Sequence, residues 1–201
     1  AILSNYLGCP LRFVDKNTTW STPIIEKWND KPELKFNPEN KWWQKSKTLL
    51  EKAAARAQGK YFVGLPDLNG PSEILSRLRR EDRLAIDTIE NKEKFKKTME
   101  EVNHAWYRYW QACQGVIHQY IGGYFTWLGI WSEIQHTDLQ SDFSIMISSE
   151  TFDELILPYI EQQTEWVQRT IYHLDGPGAT RHLDSLLALD KLTGIQWVPG
   201  A

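Results

Sequence analysis

The chain has 201 residues, of which 41% are hydrophobic and 24% charged, as in a globular protein with one core. Its net charge of −3 argues against electrostatic attraction to nucleic acid or anionic lipid. The longest apolar run, residues 121–131, is too short to cross a membrane. The two cysteines, Cys9 and Cys113, have neither metal-site nor disulfide spacing. We therefore expect a single domain over residues 1–201, located in the cytoplasm, with no nucleic-acid or membrane partner.

The first third of the chain predicts short strands separated by a helix. A strand is expected near residues 12–14. Asn37, followed by Pro38, predicts the start of a helix, and Gly59 predicts its end. The apolar residues 61–66 then predict a buried strand.

The middle of the chain predicts one long helix. Apolar side chains recur there at spacings of three and four, which places them on one face of a helix. These residues are Phe95, Met99, Val102, Trp106, Tyr109 and Cys113. The Gly- and aromatic-rich residues 116–144 lack this period, and we expect strand and ligand-facing loop there.

The last third predicts a helix that begins at Ser148 and is interrupted at Pro158. Two short strands, 170–175 and 194–198, follow, joined by a helix over 179–190. Alternating strands and helices favour a parallel sheet covered by helices.

Ligands of such folds bind at the carboxyl ends of the strands. Asp67, Asp142 and Gln196 lie at three predicted strand ends, and the pair His173 and Asp175 lies at a fourth. Because side chains alternate along a strand, His173 and Asp175 share one face. They could be metal ligands, an acid–base pair or a structural hydrogen-bonded pair. Two ligands do not make a metal site, so a third would have to come from Asp142, from His182 or from outside the chain.

The motif His-Leu-Asp occurs a second time, at residues 182–184. His182 and Asp184 fall in the first turn of a predicted helix, where Asp is favoured by the helix dipole, and we expect a structural role for them.

The tryptophans divide into two predicted groups. Trp106, Trp110 and Trp166 fall in helices and are expected in the core. Aromatic residues in loops or strands are candidates for the walls of a pocket for a planar ligand or a sugar. These substrate-binding candidates are Trp127, Trp131, Tyr172 and Trp197.

Five stretches together resemble the uroporphyrinogen decarboxylase (URO-D) superfamily. They are "TTWSTPII", "FVGLPDLNGPSEILSRLRREDRLAIDTIENKEKFKK", "SDFSIMISSETFDELILPYI", "YHLDGPGATRHLDSLL" and "IQWVPG". The superfamily also contains corrinoid and coenzyme M methyltransferases, and the sequence is most similar to that methyltransferase-like branch. The resemblance implies a (β/α)8 TIM barrel, of which this chain covers a middle portion, with a cleft at the carboxyl ends of its strands.

The resemblance also implies roles for individual residues. In the methyltransferases, a His-x-Cys motif on a strand and a later cysteine bind the zinc that activates a thiol. His173 matches the histidine, whereas Asp175 stands in place of the first cysteine. A zinc site with His173 and Asp175 as ligands is therefore expected as a variant. Asp142 falls where the decarboxylases place a substrate-contacting serine, which counts against tetrapyrrole decarboxylation.

Three functions follow as expectations. The first is methyl transfer that involves a corrinoid or a thiol. The corrinoid would be carried by a protein partner or used as a substrate. The second is decarboxylation of uroporphyrinogen in porphyrin biosynthesis, which needs no metal in this superfamily. The third is a non-catalytic, Trp-lined binding protein, which the missing cysteine ligand favours. The small molecule would be a methyl donor, a thiol or a tetrapyrrole.

Overall fold

The computed structural model describes residues 2–16 and 18–200. Its helices are α1 (Ile2–Tyr6), α2 (Lys41–Ala57), α3 (Pro71–Arg79), α4 (Glu81–Glu90), α5 (Lys92–Ile117), α6 (Ser149–Leu155), α7 (Leu157–Trp166), α8 (Gly176–Ala179) and α9 (Leu183–Leu187). Its strands are β1 (Leu11–Phe13), β2 (Thr19–Ser21), β3 (Tyr124–Phe125), β4 (Trp131–Ser132), β5 (His136–Gln140), β6 (Arg169–Asp175) and β7 (Gly194–Val198). Short 3₁₀ turns occur at Trp28–Asp30, Asp142–Met146 and Thr180–His182.

The fold is a mixed α/β arrangement around a parallel sheet in the order β5-β6-β7. In this register His173 lies level with Gln140 on one side and with Gln196 on the other. The strands β1 and β2, and likewise β3 and β4, form two-stranded antiparallel pairs. The predicted parallel sheet is thus confirmed, whereas the residues that the structure describes form three parallel strands and no closed eight-stranded barrel.

Helix α5 is the centre of the core, as its sequence pattern predicts. All six residues of the predicted apolar stripe are buried. The helix packs against α2, α3, α4 and α7. Trp106 and Trp110 lie in this core, as predicted, and Trp166 packs against it while partly buried. None of the helices in the described residues is both long and apolar enough to cross a membrane.

The predicted strand at residues 61–66 is wrong. These residues pair with no other strand in the described part of the chain, and Tyr61 and Phe62 are exposed. The segment packs through its side chains instead, because the Phe62 ring stacks on Phe125 of β3 at a centroid distance of 5.6 Å. Pro66, which has no N–H group to donate, also disfavours pairing.

Three helix boundaries differ from the sequence-based expectation. The second helix begins after Asn40 rather than at Asn37, because the Asn40 side chain accepts hydrogen bonds from the N–H groups of Trp42 and Trp43. The helix expected from Ser148 is divided into α6 and α7, and Pro158 occupies the first turn of α7. The helix expected over 179–190 is a series of short turns, α8, a 3₁₀ turn and α9.

Helix α3 is held tightly against the carboxyl end of β5. A Cβ atom at Gly70, the residue before α3, would stand 1.9 Å from the carbonyl oxygen of Gln140. Only glycine leaves room for this backbone contact. The Ser72 hydroxyl continues the contact through a 2.8 Å hydrogen bond with the Ser141 hydroxyl. The first turn of α3 therefore fixes the position of the turn that follows β5.

Candidate functional site

Three side chains converge at the carboxyl end of the parallel sheet. His173 and Asp175 extend from one face of β6, and Asp142 begins the 3₁₀ turn that follows the neighbouring strand β5. One potential ligand atom from each residue lies within 4.8 Å of the others. Asp142 and Asp175 are exposed and His173 is half-buried, so the cluster is open to solvent.

The ring of His173 is oriented by two neighbours. Its Nδ1 forms a short hydrogen bond with the side-chain oxygen of Gln196 on β7. Because an amide oxygen only accepts, Nδ1 carries the proton, and the lone pair of Nε2 is left free for a ligand. The Trp127 ring meets the imidazole edge-to-face, with centroids 5.0 Å apart. The free nitrogen is therefore presented in one fixed orientation.

The electrostatics of the cluster favour a positively charged ligand. Although Asp142 is partly exposed, neighbouring protein atoms desolvate its carboxyl group and raise its pKa. The charges of Asp175 and Asp67 raise this pKa further, and His173 opposes the shift. A cation at the cluster would relieve this repulsion among carboxylates.

A buried carboxyl group supports the cluster from behind. Glu73, in the first turn of α3, is 7% exposed. Its Oε1 accepts hydrogen bonds from the Phe143 N–H group at 2.8 Å and from the Ser72 hydroxyl at 3.0 Å. Its Oε2 has no hydrogen-bond partner among the described residues. Glu73 thus holds the backbone next to Asp142.

Glu73 is expected to make the stability of the protein depend on pH. Burial and, second, the charge of Asp142 raise the pKa of the Glu73 carboxyl to about 7, from an ordinary value of 4.5. Because the folded state holds this proton more tightly than the unfolded state, the stabilisation is complete below pH 4.5 and declines as the pH rises to about 7.

The expected decline is about 3 kcal/mol, at about 1.4 kcal/mol for each pH unit. Glu73→Gln is the control, since glutamine does not titrate and its oxygen accepts the same hydrogen bonds. Urea denaturation at a series of pH values gives the free energy of unfolding of both proteins. Parallel curves for wild type and variant would contradict the assignment.

The other predicted site residues are divided between the cluster and its surroundings. Asp67 is exposed and close enough to Asp142 to affect its pKa, and Gln196 contacts His173 directly. Trp127 contacts His173, whereas the Trp131 ring stacks on Phe62.

Tyr172 and Trp197 lie on the opposite face of the sheet from His173. Tyr172 precedes His173 along β6 and is buried, and Trp197 is level with Leu174 in the strand register. The register therefore places Trp197 away from the cluster. Burial raises the pKa of Tyr172 and the charges of Glu73 and Asp142 raise it further, so the Tyr172 hydroxyl lies near these two carboxyl groups.

The second His-Leu-Asp motif has the predicted structural position. His182 is fully buried, and its ring stacks on Phe152 at a centroid distance of 4.2 Å. Its Nε2 donates to the Ser144 carbonyl oxygen at 3.1 Å. Burial lowers the pKa of His182, and its side chain is not part of the cluster.

Two acidic residues of this region were not among the sequence-based candidates. Asp138 lies on β5 at the level of Ile171 and accepts a 2.8 Å hydrogen bond from Trp127 Nε1. The alternation of His136, Asp138 and Gln140 along one strand was a visible signal of a polar face. Glu73 gave no such signal, because a glutamate in the first turn of a helix is ordinary.

The three ligand atoms fit a divalent metal ion chemically. Zinc accepts histidine nitrogen and carboxylate oxygen, and a catalytic zinc keeps one position for water or substrate. Ligand atoms about 2.0–2.2 Å from a tetrahedral zinc ion lie about 3.3–3.6 Å apart. The side chains, whose ligand atoms are separated by up to 4.8 Å, would therefore have to move closer together to bind zinc.

Comparison with known structures places the fold beside a methyltransferase. The chain is similar to the structure of a methyltransferase from Methanosarcina mazei, with a TM-score of 0.68 and 14% sequence identity. The match covers 96% of this chain and 54% of the other, so this chain spans about half the length of that structure. No protein-family model and no curated protein matches the sequence. At this identity the similarity shows the fold alone.

Proposed function

We propose that the protein is a metal-dependent methyltransferase of the URO-D superfamily type that methylates a thiol, with a corrinoid as the methyl carrier. The convergence of Asp142, His173 and Asp175 at the carboxyl end of the sheet carries this proposal. The similarity of the fold to a methyltransferase supports it.

The protein's own residues divide the work. His173 Nε2 and the two carboxylates would hold zinc, which lowers the pKa of a thiol when it is bound. Gln196 keeps the imidazole in the tautomer that leaves Nε2 free. Trp127 forms an apolar wall beside His173.

The proposal is tested by metal analysis of the full-length protein. We expect one equivalent of zinc in the wild type, and His173→Ala is expected to weaken zinc binding by about 100-fold or more because it removes a ligand atom. His104→Ala is the matched control, because His104 is exposed on α5 and pairs with Glu100.

Methyl transfer from a methylated corrinoid to a thiol is measured on the same proteins. Loss of transfer together with zinc in His173→Ala, with both retained in His104→Ala, is the expected result. A metal-free wild type that decarboxylates uroporphyrinogen would overturn the proposal. Binding of a ligand without turnover of any methyl donor would favour the non-catalytic alternative.

A further inference from the structure

A small cavity lies beside the metal-ligand cluster and shares Trp127 with it. The cavity lies between the segment 65–69, helix α5 and strand β5. It offers about 20 Å³ to the centre of a water molecule. A volume of about 10–15 Å³ is enough for one water molecule, so the cavity accepts one group of that size. An ammonium group is of this size.

The cavity wall contains buried oxygen atoms without partners. Thr126 is 2% exposed, and its Oγ1 has no hydrogen-bond partner among the described residues. The side-chain oxygen of Asn69 is likewise buried and without a described partner. Buried polar atoms are costly to leave unpaired, so these two oxygens indicate a missing donor.

Two carboxylates complete the polar wall. Asp138 is held by Trp127, and Asp67 is close enough to affect the pKa of Asp138. No lysine, arginine or histidine is among the described residues that line the cavity. The rings of Trp106 and Trp127 belong to the same wall, and the face of an indole attracts a cation.

We propose that this cavity binds the ammonium group of a small primary amine. Asp67 and Asp138 would balance the positive charge of the ammonium group. The side-chain oxygens of Thr126 and Asn69 would accept hydrogen bonds from it.

One atom of the wall favours a different occupant. Trp110 Nε1, also buried and without a described partner, is a donor, which an ammonium group cannot satisfy and a water molecule can. A cavity that holds only water is therefore the competing outcome of the experiment.

The test is titration of the full-length protein with methylammonium chloride. Binding is measured by calorimetry and from the indole N–H resonances in NMR spectra. Methanol, which is neutral, and tetramethylammonium, which is too large, are the control ligands. We expect methylammonium to bind and both controls to bind at least about tenfold more weakly.

Two substitutions that preserve shape identify the site. Asp138→Asn removes the charge but keeps an oxygen for Trp127, and Thr126→Val removes only the hydroxyl. Each is expected to weaken methylammonium binding by about tenfold and to leave zinc affinity unchanged. Equal binding of methanol, or unchanged affinity in both variants, would overturn the inference in favour of a water-filled cavity. A wild type that binds methylammonium but no zinc would instead contradict the proposed methyl transfer.

Discussion

Replacing Asp175 with cysteine is expected to raise the affinity of the cluster for zinc by about tenfold or more. Zinc binds thiolate sulfur strongly, at a distance of about 2.3 Å, which compensates in part for the shorter cysteine side chain. Asp175 is exposed at the end of β6 and accepts such a change without repacking of the core. The substitution restores the residue that the resemblance to the methyltransferases implies at this position.

A second substitution at the same position tests whether the Asp175 carboxylate is a metal ligand. Asp175→Asn keeps the shape of the side chain and removes its charge, and it is expected to lower zinc affinity by about 100-fold. Asp184→Asn, in the second His-Leu-Asp motif, is the matched control because Asp184 is exposed and lies outside the cluster. Competition against a chelating dye measures the zinc affinity of the wild type and of the three variants. Equal zinc affinity of the cysteine and asparagine variants would exclude residue 175 as a ligand.

Loss of the Glu73 side chain is expected to disturb the cluster indirectly, through the backbone next to Asp142. In Glu73→Ala, the Phe143 N–H group loses its buried acceptor, whereas the Ser72 hydroxyl can still donate to the Ser141 hydroxyl. The unsatisfied N–H group costs about 1–3 kcal/mol, and the empty volume adds to the cost. We therefore expect the free energy of unfolding to fall by about 2–4 kcal/mol at pH 4.5, where the folded protein keeps the Glu73 carboxyl protonated.

The same substitution is expected to weaken zinc binding by about 10–100-fold, because Asp142 is no longer held in place. Glu73→Gln, which retains the acceptor oxygen, should restore most of this affinity. That rescue distinguishes positioning of Asp142 from a general loss of stability. Equal zinc affinity in the alanine variant and the wild type, both folded at the temperature of measurement, would contradict a positioning role.

Local patterns in the sequence were sufficient for the long helix and for the location of the cluster. The stripe from Phe95 to Cys113 has one helical face, and burial of that face determines the helix. The alternation of His173 and Asp175 along β6 placed them together at a strand end. Both inferences need only the spacing of neighbouring residues.

Contacts between distant segments were not visible in the same way. The apolar residues 61–66 have the composition of a strand, but their side chains pack on β3 and no neighbouring strand pairs with them in the described residues. Glu73 supports the cluster only because α3 meets the end of β5, a contact across 70 residues of sequence. The partner of Trp127, Asp138, likewise depends on the folded arrangement.

The close approach at Gly70 determines how this region tolerates substitution. Any larger residue there must displace the Gln140 backbone, and the displacement would be passed on to Asp142 two residues later. Gly115, within α5, has no atom within 4 Å of the space that a Cβ would occupy. Alanine there would favour the helix. Natural variation is thus expected at Gly115 and not at Gly70, where the addition of one methyl group would disturb the candidate site.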